Sequence, residues 1–146
     1  LRLVGSEMCI RDREYAVRLF YPDKNGLLTP VTTVLACTDP GQLPLLALQA
    51  LIRATVPVNL SRVVPAGTQV MDISVSDGTA SVVLSDQFMS CDTSAARAGS
   101  AVRSIAATLC DLSGVTAIRL SVIGESGLTY YDISEPITPQ PDWFSE

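Results

Sequence analysis

Residues 65–88 have the sequence PAGTQVMDISVSDGTASVVLSDQF, which predicts two half-buried strands joined by a tight turn. Apolar residues alternate with polar ones on both sides of the turn: Met71, Ile73, Val75, Ala80, Val82 and Leu84. This period of two is typical of a strand with one face on the core and one in water. Asp77 and Gly78 lie between the two runs. Asp-Gly favours a type I′ turn because both central residues need positive φ.

The length and composition indicate one globular domain. The chain has 146 residues, of which 47% are hydrophobic and 17% charged, enough for a sizeable core and too apolar for a disordered chain. A formal net charge of -5 with scattered Lys and Arg argues against a nucleic-acid partner, since such binding needs a basic patch. The sequence has no run of about 18 apolar residues, so it predicts no membrane-spanning helix.

The first thirteen residues, LRLVGSEMCIRDR, show neither strand nor helix periodicity and resemble a translated sequencing adapter. We therefore interpret residues 1–13 as a non-native extension. The domain is expected to span 14–136, and the Pro-spaced polar residues 137–146 to form an extended tail. In that case the genuine N-terminus, with any signal peptide or lipid anchor, lies outside this sequence.

Two strands and a helix are predicted before the central hairpin. The first strand begins near Glu14, and the second spans 27–35, where Pro30 indicates an edge strand or a bulge. Asp39 is typical of a helix N-cap, and the helical spacing continues until Pro57 ends it.

A second helix and a further strand are predicted after the hairpin. The helix begins near Thr93 or Ser94, and Gly114 is placed to end it with positive φ. A strand at 118–122 follows, with another short one possible at 128–131. The order predicts a two-layer α+β domain with two helices on one face of a mixed or antiparallel sheet of about five to six strands.

The sequence predicts no catalytic residue, no cofactor and no metal site. The absence of His excludes Ser-His-Asp triads and His-bearing zinc sites. Cys37, Cys91 and Cys110 lack C-x-x-C spacing, which leaves open one disulfide or buried free thiols. Four aspartates lack the spacing of a calcium loop and are interpreted as turn, strand-end and solvated edge residues: Asp72, Asp77, Asp86 and Asp92.

Clustered aromatic residues are confined to Tyr130, Tyr131, Trp143 and Phe144. They are the residues that a glycan or peptide site would use. Trp143 and Phe144 could also dock on the body of the domain. For Trp143 and Phe144 we favour the interpretation that they are terminal residues without a role.

Four fragments in this order resemble the GerMN domain, which is named for a spore-formation and germination lipoprotein of Gram-positive bacteria. They are GLLTPVT at 26–32, PAGTQV at 65–70, DGTASVVLSDQF at 77–88 and ISEPI at 133–137. The resemblance covers about 14–136. The family's fold is also similar to ring-building modules of secretion and sporulation channels, whose helix, two strands, helix and strand match the order predicted for 39–123.

The resemblance implies a non-enzymatic, extracytoplasmic domain of the cell envelope, associated with sporulation or germination and acting by protein–protein interaction or assembly. Its expected partners are envelope or sporulation proteins or further copies of the chain, and not nucleic acid. Contact with the membrane would come only through a lipoprotein-like anchor missing from this sequence. The alternative is a cell-wall glycan-binding, peptide-binding or sensor domain.

Overall fold

The computed structural model describes residues 13–37, 39–53, 56–61, 64, 67–112, 114–124, 133 and 136–144. They form β1 (Arg13–Pro22), β2 (Leu28–Cys37), α1 (Leu43–Arg53), β3 (Val70–Ser76), β4 (Thr79–Leu84), α2 (Ala95–Cys110) and β5 (Ala117–Val122). Short 3₁₀ turns lie at Pro40–Gln42, Asp86–Cys91 and Pro141–Trp143. The predicted α+β class and element order are confirmed. The possible strand at 128–131 and the turn residues 65–66 lie outside the described residues.

The five strands lie in two sheets, and not in the single sheet expected from the sequence. β1 and β2 form an antiparallel pair, while β4 lies between antiparallel β3 and parallel β5. The reason is that α2 is buried around most of its circumference between Ala98 and Leu109. It contacts β1, β5 and α1. A helix buried on several sides needs cover from more than one sheet.

The β1–β2 hairpin is regular and closed by a polar turn. The Asp23 carboxylate accepts hydrogen bonds from the N–H groups of Asn25 (2.8 Å) and Leu27 (3.1 Å), and Gly26 has a φ of 80°. The strand register continues without a break past Pro30. The prediction of an edge position for Pro30 is therefore confirmed, and the alternative of a bulge is wrong.

Two hydroxyl groups of α2 hold β1 by its backbone. The Phe20 N–H donates to Thr108 Oγ1 over 3.1 Å, and the Ser104 hydroxyl donates to the Phe20 carbonyl. Both hydroxyl residues are buried. Because the backbone groups of Phe20 bond to α2, its pairing with Pro30 on β2 is of the non-hydrogen-bonded kind. Pro30 therefore costs the hairpin no hydrogen bond.

The central hairpin turns as the sequence predicts but is not buried equally on its two strands. Asp77 and Gly78 have φ values of 54° and 81°, as a type I′ turn requires. β4 alternates between buried and more exposed residues. On β3, however, Met71 is 49% exposed and Val75 43%, because β3 is an edge strand with an irregular register between Val70 and Asp72.

The predicted starts of both helices are confirmed, whereas α1 ends at Arg53, before the predicted end at Pro57. Asp39 Oδ1 accepts from the Gly41 N–H over 2.9 Å, opening the 3₁₀ turn that leads into α1. Ser94 Oγ accepts from the Arg97 N–H over 3.2 Å at the start of α2. Gly114 has the predicted positive φ, 89°, but α2 ends at Cys110 with Asp111 as its C-cap.

The C-terminal residues pack on the body of the domain. Trp143 is 7% exposed, with the Arg103 guanidinium 5.6 Å from its ring centroid. The Phe144 ring meets Phe20 edge to face, with centroids 5.3 Å apart. The favoured interpretation of these two aromatics as residues without a role is therefore wrong, since their apolar area is buried here. The domain limits at 14 and 136 stay a prediction.

We predict that Thr108→Val destabilises the domain by about 1–3 kcal/mol, because the buried Phe20 N–H loses its acceptor. Ser104→Ala should act in the same direction. Ser100→Ala on the same helix gives a matched control with the same change of helix propensity. Urea denaturation measures the free energies of unfolding, and equal values for the Ser104 and Ser100 variants would contradict the role of the buried hydroxyl.

We also predict that Trp143→Ala lowers the free energy of unfolding by about 3 kcal/mol, since a buried indole is removed. The control is Gln140→Ala, which changes an exposed residue of the same segment. Thermal or urea unfolding measures both. A Trp143 variant as stable as the Gln140 variant would show that the segment does not pack in solution.

Candidate interaction surface

The four aspartates considered from the sequence lie in local backbone roles. Asp77 makes the hairpin turn, and the Asp72 carboxylate accepts from the N–H of Ile73 over 3.0 Å. Asp86 begins a 3₁₀ turn that Asp92 follows. Among the residues that the structure describes, none of the His, Cys, Asp and Glu side chains gather in a group of three or more that could hold a metal ion.

Cys91 and Cys110 are free thiols in this structure, Cys91 buried and Cys110 half-buried. Burial raises the pKa of each from 9.0 to about 11, and for Cys91 the neighbouring charge of Asp92 is part of this rise. Both groups are therefore protonated at neutral pH and are poor nucleophiles. The side chain of Cys37 lies outside the described residues.

A shallow groove of about 330 Å³ lies between the β1–β2 hairpin and the C-terminal end of α2. Arg18 and Asp111 form a two-bond ion pair at its rim, with distances of 3.1 and 2.5 Å, and this pairing raises the pKa of Arg18. The Arg18 guanidinium also lies 5.4 Å from the Phe20 ring centroid. The Arg18 guanidinium thus contacts both the Asp111 carboxylate and the Phe20 ring.

The aromatic residues expected at a glycan or peptide site are not assembled into an exposed platform in the described part of the chain. Trp143 is buried, and Phe144 is partly buried against Phe20. Tyr130 and Tyr131 lie outside the described residues.

Each of the three sheet edges other than that of β2 is interrupted by the chain itself at one position. The α2 hydroxyls cover β1 at Phe20. Ile118 of β5 exchanges two backbone hydrogen bonds, of 2.9 and 2.7 Å, with Ile137. On β3 the irregular register and the Asp72 carboxylate, which occupies the N–H of Ile73, disturb the edge. Bulges, charged side chains and covering segments are the usual means by which proteins prevent strand addition.

The outer edge of β2 has three successive outward residues with neutral side chains, Thr32, Val34 and Ala36, whereas the outward residues of β1 across the ladder include the charged Glu14 and Arg18. Hydrogen-bonded and non-hydrogen-bonded pairs alternate along an antiparallel ladder. Every second residue after Pro30 therefore forms a non-hydrogen-bonded pair with β1, as Pro30 does. The backbone N–H and C=O groups of these three residues consequently point away from β1. All three residues are exposed, and Val34 retains 57% of its accessible surface. Within the described part of the chain, their outward groups make no hydrogen bond.

We call Thr32, Val34 and Ala36 the open β2 edge. Through Pro30 the sequence predicted that β2 is an edge strand or carries a bulge, but it did not single out these residues as functional. The signal was present in the sequence, because Pro30 fixes which backbone groups face outward and every second residue after it shares that phase. What the sequence could not show is that the β1 and β5 edges are covered in part by distant residues.

The fold is an α+β module in which a helix, two strands, a helix and a strand carry a separate hairpin with an open edge. Residues 18–127 match the model of the Germane family, described by sporulation and spore germination, so the chain belongs to this family. The family is described by a biological process and not by an enzymatic reaction. No curated protein matches the chain.

Solved structures show the same fold. The tandem GerMN domains of the sporulation protein GerM from Bacillus subtilis match with a TM-score of 0.68 and 16% identity, over 93% of this chain and 48% of that one. The first GerMN domain of the same protein gives 0.60 and 23%, over 90% and 97%. A Clostridium perfringens protein designated a candidate lipoprotein gives 0.61 and 19%, over 89% of each chain. This chain therefore spans about half of the tandem structure.

The described residues include no helix long and apolar enough to cross a membrane.

The buried thiols give a prediction about pH. The pKa of Cys91 is higher in the folded state than in the unfolded state, so the unfolded thiol ionises first as the pH rises. The contribution of Cys91 to the free energy of unfolding is therefore complete below pH 9 and is lost between about pH 9 and 11. Cys91→Ala should be less stable at pH 8 through its cavity but should lose less stability from pH 9 to 11. Urea midpoints across this range measure the slopes, and identical slopes would contradict the assignment.

Proposed function

We propose that this chain is a non-catalytic, extracytoplasmic envelope domain that serves sporulation or germination by binding another protein through the open β2 edge. The proposal takes its biological setting from the family. It takes its molecular role from one observation: Thr32, Val34 and Ala36 present outward backbone donors and acceptors beside an exposed Val34. An edge of this kind recognises an extended strand through main-chain hydrogen bonds.

The contrast between the edges supports a binding role. An unprotected edge is an aggregation hazard, and proteins generally protect such edges. This chain uses α2 hydroxyls, Ile137 and Asp72 on its other edges. On β1 the outward residues Glu14 and Arg18 are charged, which also disfavours strand addition. The open β2 edge has neutral side chains, so it is the edge at which a partner strand is expected.

The chemistry of the groove supports the non-catalytic part of the proposal. Cys110 is protonated at neutral pH, because its pKa is about 11. The nearby charges of Arg18 and Asp111 are paired with each other. A general acid or base needs a pKa near the working pH, and these groups are better explained as a partly exposed ion pair and a core thiol.

The extracytoplasmic location is supported by one structural relative, which is designated a candidate lipoprotein. It is tested by expressing the natural gene with a C-terminal tag and treating intact cells with protease. Digestion of the tag only after lysis would place the domain inside the cell and contradict this part of the proposal.

The prediction for function is that Val34→Lys lowers the yield of heat-resistant spores, or slows germination, in a spore-forming host that carries the natural gene. A charge at the centre of the open β2 edge disfavours a neutral partner strand, while the fold is preserved because Val34 is exposed. Spore counts and germination kinetics measure the effect. Equal thermal stability of the variant and the wild type shows that folding is not the cause.

The matched control is Met71→Lys, which places the same charge on an exposed apolar residue of the protected β3 edge. It should behave like the wild type. If both variants sporulate and germinate normally, or if both are equally defective, the open β2 edge is not the functional surface.

A further inference from the structure

We propose that residues 136–144 form a strap that opens and closes as one unit while the rest of the domain stays folded. When closed, this strap holds the β1–β2 hairpin, so that the open β2 edge is firmly positioned. The second part rests on the proposed function, because it names how the same edge is regulated. The opening of the strap does not depend on that function.

The strap is attached at its two ends, to different sheets. At the first end, Ile137 exchanges two backbone hydrogen bonds, of 2.9 and 2.7 Å, with Ile118 of β5. At the second end, Trp143 is buried, and Phe144 forms a parallel bridge with Leu28 of β2. The strap therefore leads from the sheet of β3, β4 and β5 to the β1–β2 hairpin.

Between these two ends the strap is held by few contacts. Residues 138–142 are exposed or half-buried, and the prolines among them have no N–H to donate. The hydrogen bonds that the structure shows here stay within the strap: the Trp143 N–H donates to the Gln140 carbonyl over 3.0 Å, and the Gln140 side-chain amide to the Thr138 carbonyl over 3.1 Å. A segment with few buried contacts opens at a lower free energy than the whole domain unfolds.

The strap is not closely packed along the side that faces the groove. Pro139 and Phe144 of the strap line this space of about 330 Å³ together with Ala107 and Cys110 of α2. Side chains that border an unfilled space lack partner atoms on that side. Opening the strap therefore breaks fewer contacts than its length suggests.

The closed strap adds a support to the hairpin. Two hydroxyl groups of α2, those of Ser104 and Thr108, bond the backbone of Phe20. From the strap, the Phe144 ring packs on the Phe20 ring, with centroids 5.3 Å apart, and its backbone bridges to Leu28. Opening removes the second set of contacts and leaves the first, so the hairpin stays folded but gains mobility. Because coupling between two sites is reciprocal, a strand bound at the open β2 edge should in turn favour the closed strap.

Amide hydrogen exchange of the full chain, measured by NMR, tests the opening. The N–H groups of Ile118 and Ile137 bond across the contact between β5 and the strap, whereas Ile105 lies within α2 and reports global unfolding. Corrected for intrinsic rates, exchange at Ile118 and Ile137 should be equal and at least about a hundredfold faster than at Ile105. Low urea should accelerate Ile105 but not the other two, since strap opening exposes little surface. Exchange of all three with one rate and one urea dependence would overturn the inference.

Trp143→Ala tests whether the two ends move together. If they do, removing the indole at the second end accelerates exchange of Ile118 at the first end by about a hundredfold. Gln140→Ala is the matched control in the exposed middle and should leave Ile118 unchanged. An unchanged rate at Ile118 in the Trp143 variant would show that the ends open independently, which contradicts a single strap. Phe144→Ala, milder because Phe144 is only partly buried, provides the same readout if the Trp143 variant does not fold.

The support of the hairpin is tested at Val31, whose N–H faces β1 in the ladder with Leu19. In Phe144→Ala its exchange should accelerate at least about tenfold more than that of Ile105, and an equal change at both would contradict the support. These measurements involve no partner, so their failure leaves the proposed function to the Val34→Lys test. Normal sporulation and germination of Val34→Lys would sink the proposed function, while the exchange results would still support the strap.

Discussion

The arrangement of the domain depends on the two hydrogen bonds between α2 and the backbone of Phe20. They place Ser104 and Thr108, one helical turn apart, against the edge of β1. A buried backbone N–H or C=O without a partner costs about 1–3 kcal/mol, so these hydroxyls make a helix on that edge tolerable. The turn from Asp23 to Leu27 fixes the phase of the hairpin ladder, and the hydroxyls bond the backbone groups of Phe20 that this phase directs outward. That phase allows Pro30 on β2 without loss and turns the groups of Val34 outward.

Local chemistry made much of the fold predictable. The Asp77–Gly78 turn, the caps at Asp39 and Ser94 and the alternation of β4 each depend on a few neighbouring residues, and the structure has them as expected. The single predicted sheet was wrong because Ser104 and Thr108 were interpreted only as residues of an amphipathic helix. Their bonds to Phe20 span 84 and 88 positions of the chain, a separation that no periodicity reveals.

The difference between local and long-range contacts also explains why the sequence did not predict the open β2 edge. An edge position for β2 followed from Pro30 alone, but an open edge is defined only by comparison with edges that are covered. Those covers come from distant residues: Ile137 on β5 and Phe144 at the start of β2. Terminal polar sequences usually lack such contacts. The role of Trp143 was missed for this reason, since its burial depends on α2 and not on its neighbours.

The C-terminal segment joins the two sheets, and this bears on how a strand could add to β2. Ile137 is bonded to β5, while Phe144 bridges to Leu28 and packs on Phe20. The hairpin is thus held by α2 on one side and by the segment on the other. A rigid edge loses less conformational entropy when a strand binds than a mobile one does. A contact as small as Thr32–Val34–Ala36 can therefore be specific in register while remaining weak enough to dissociate.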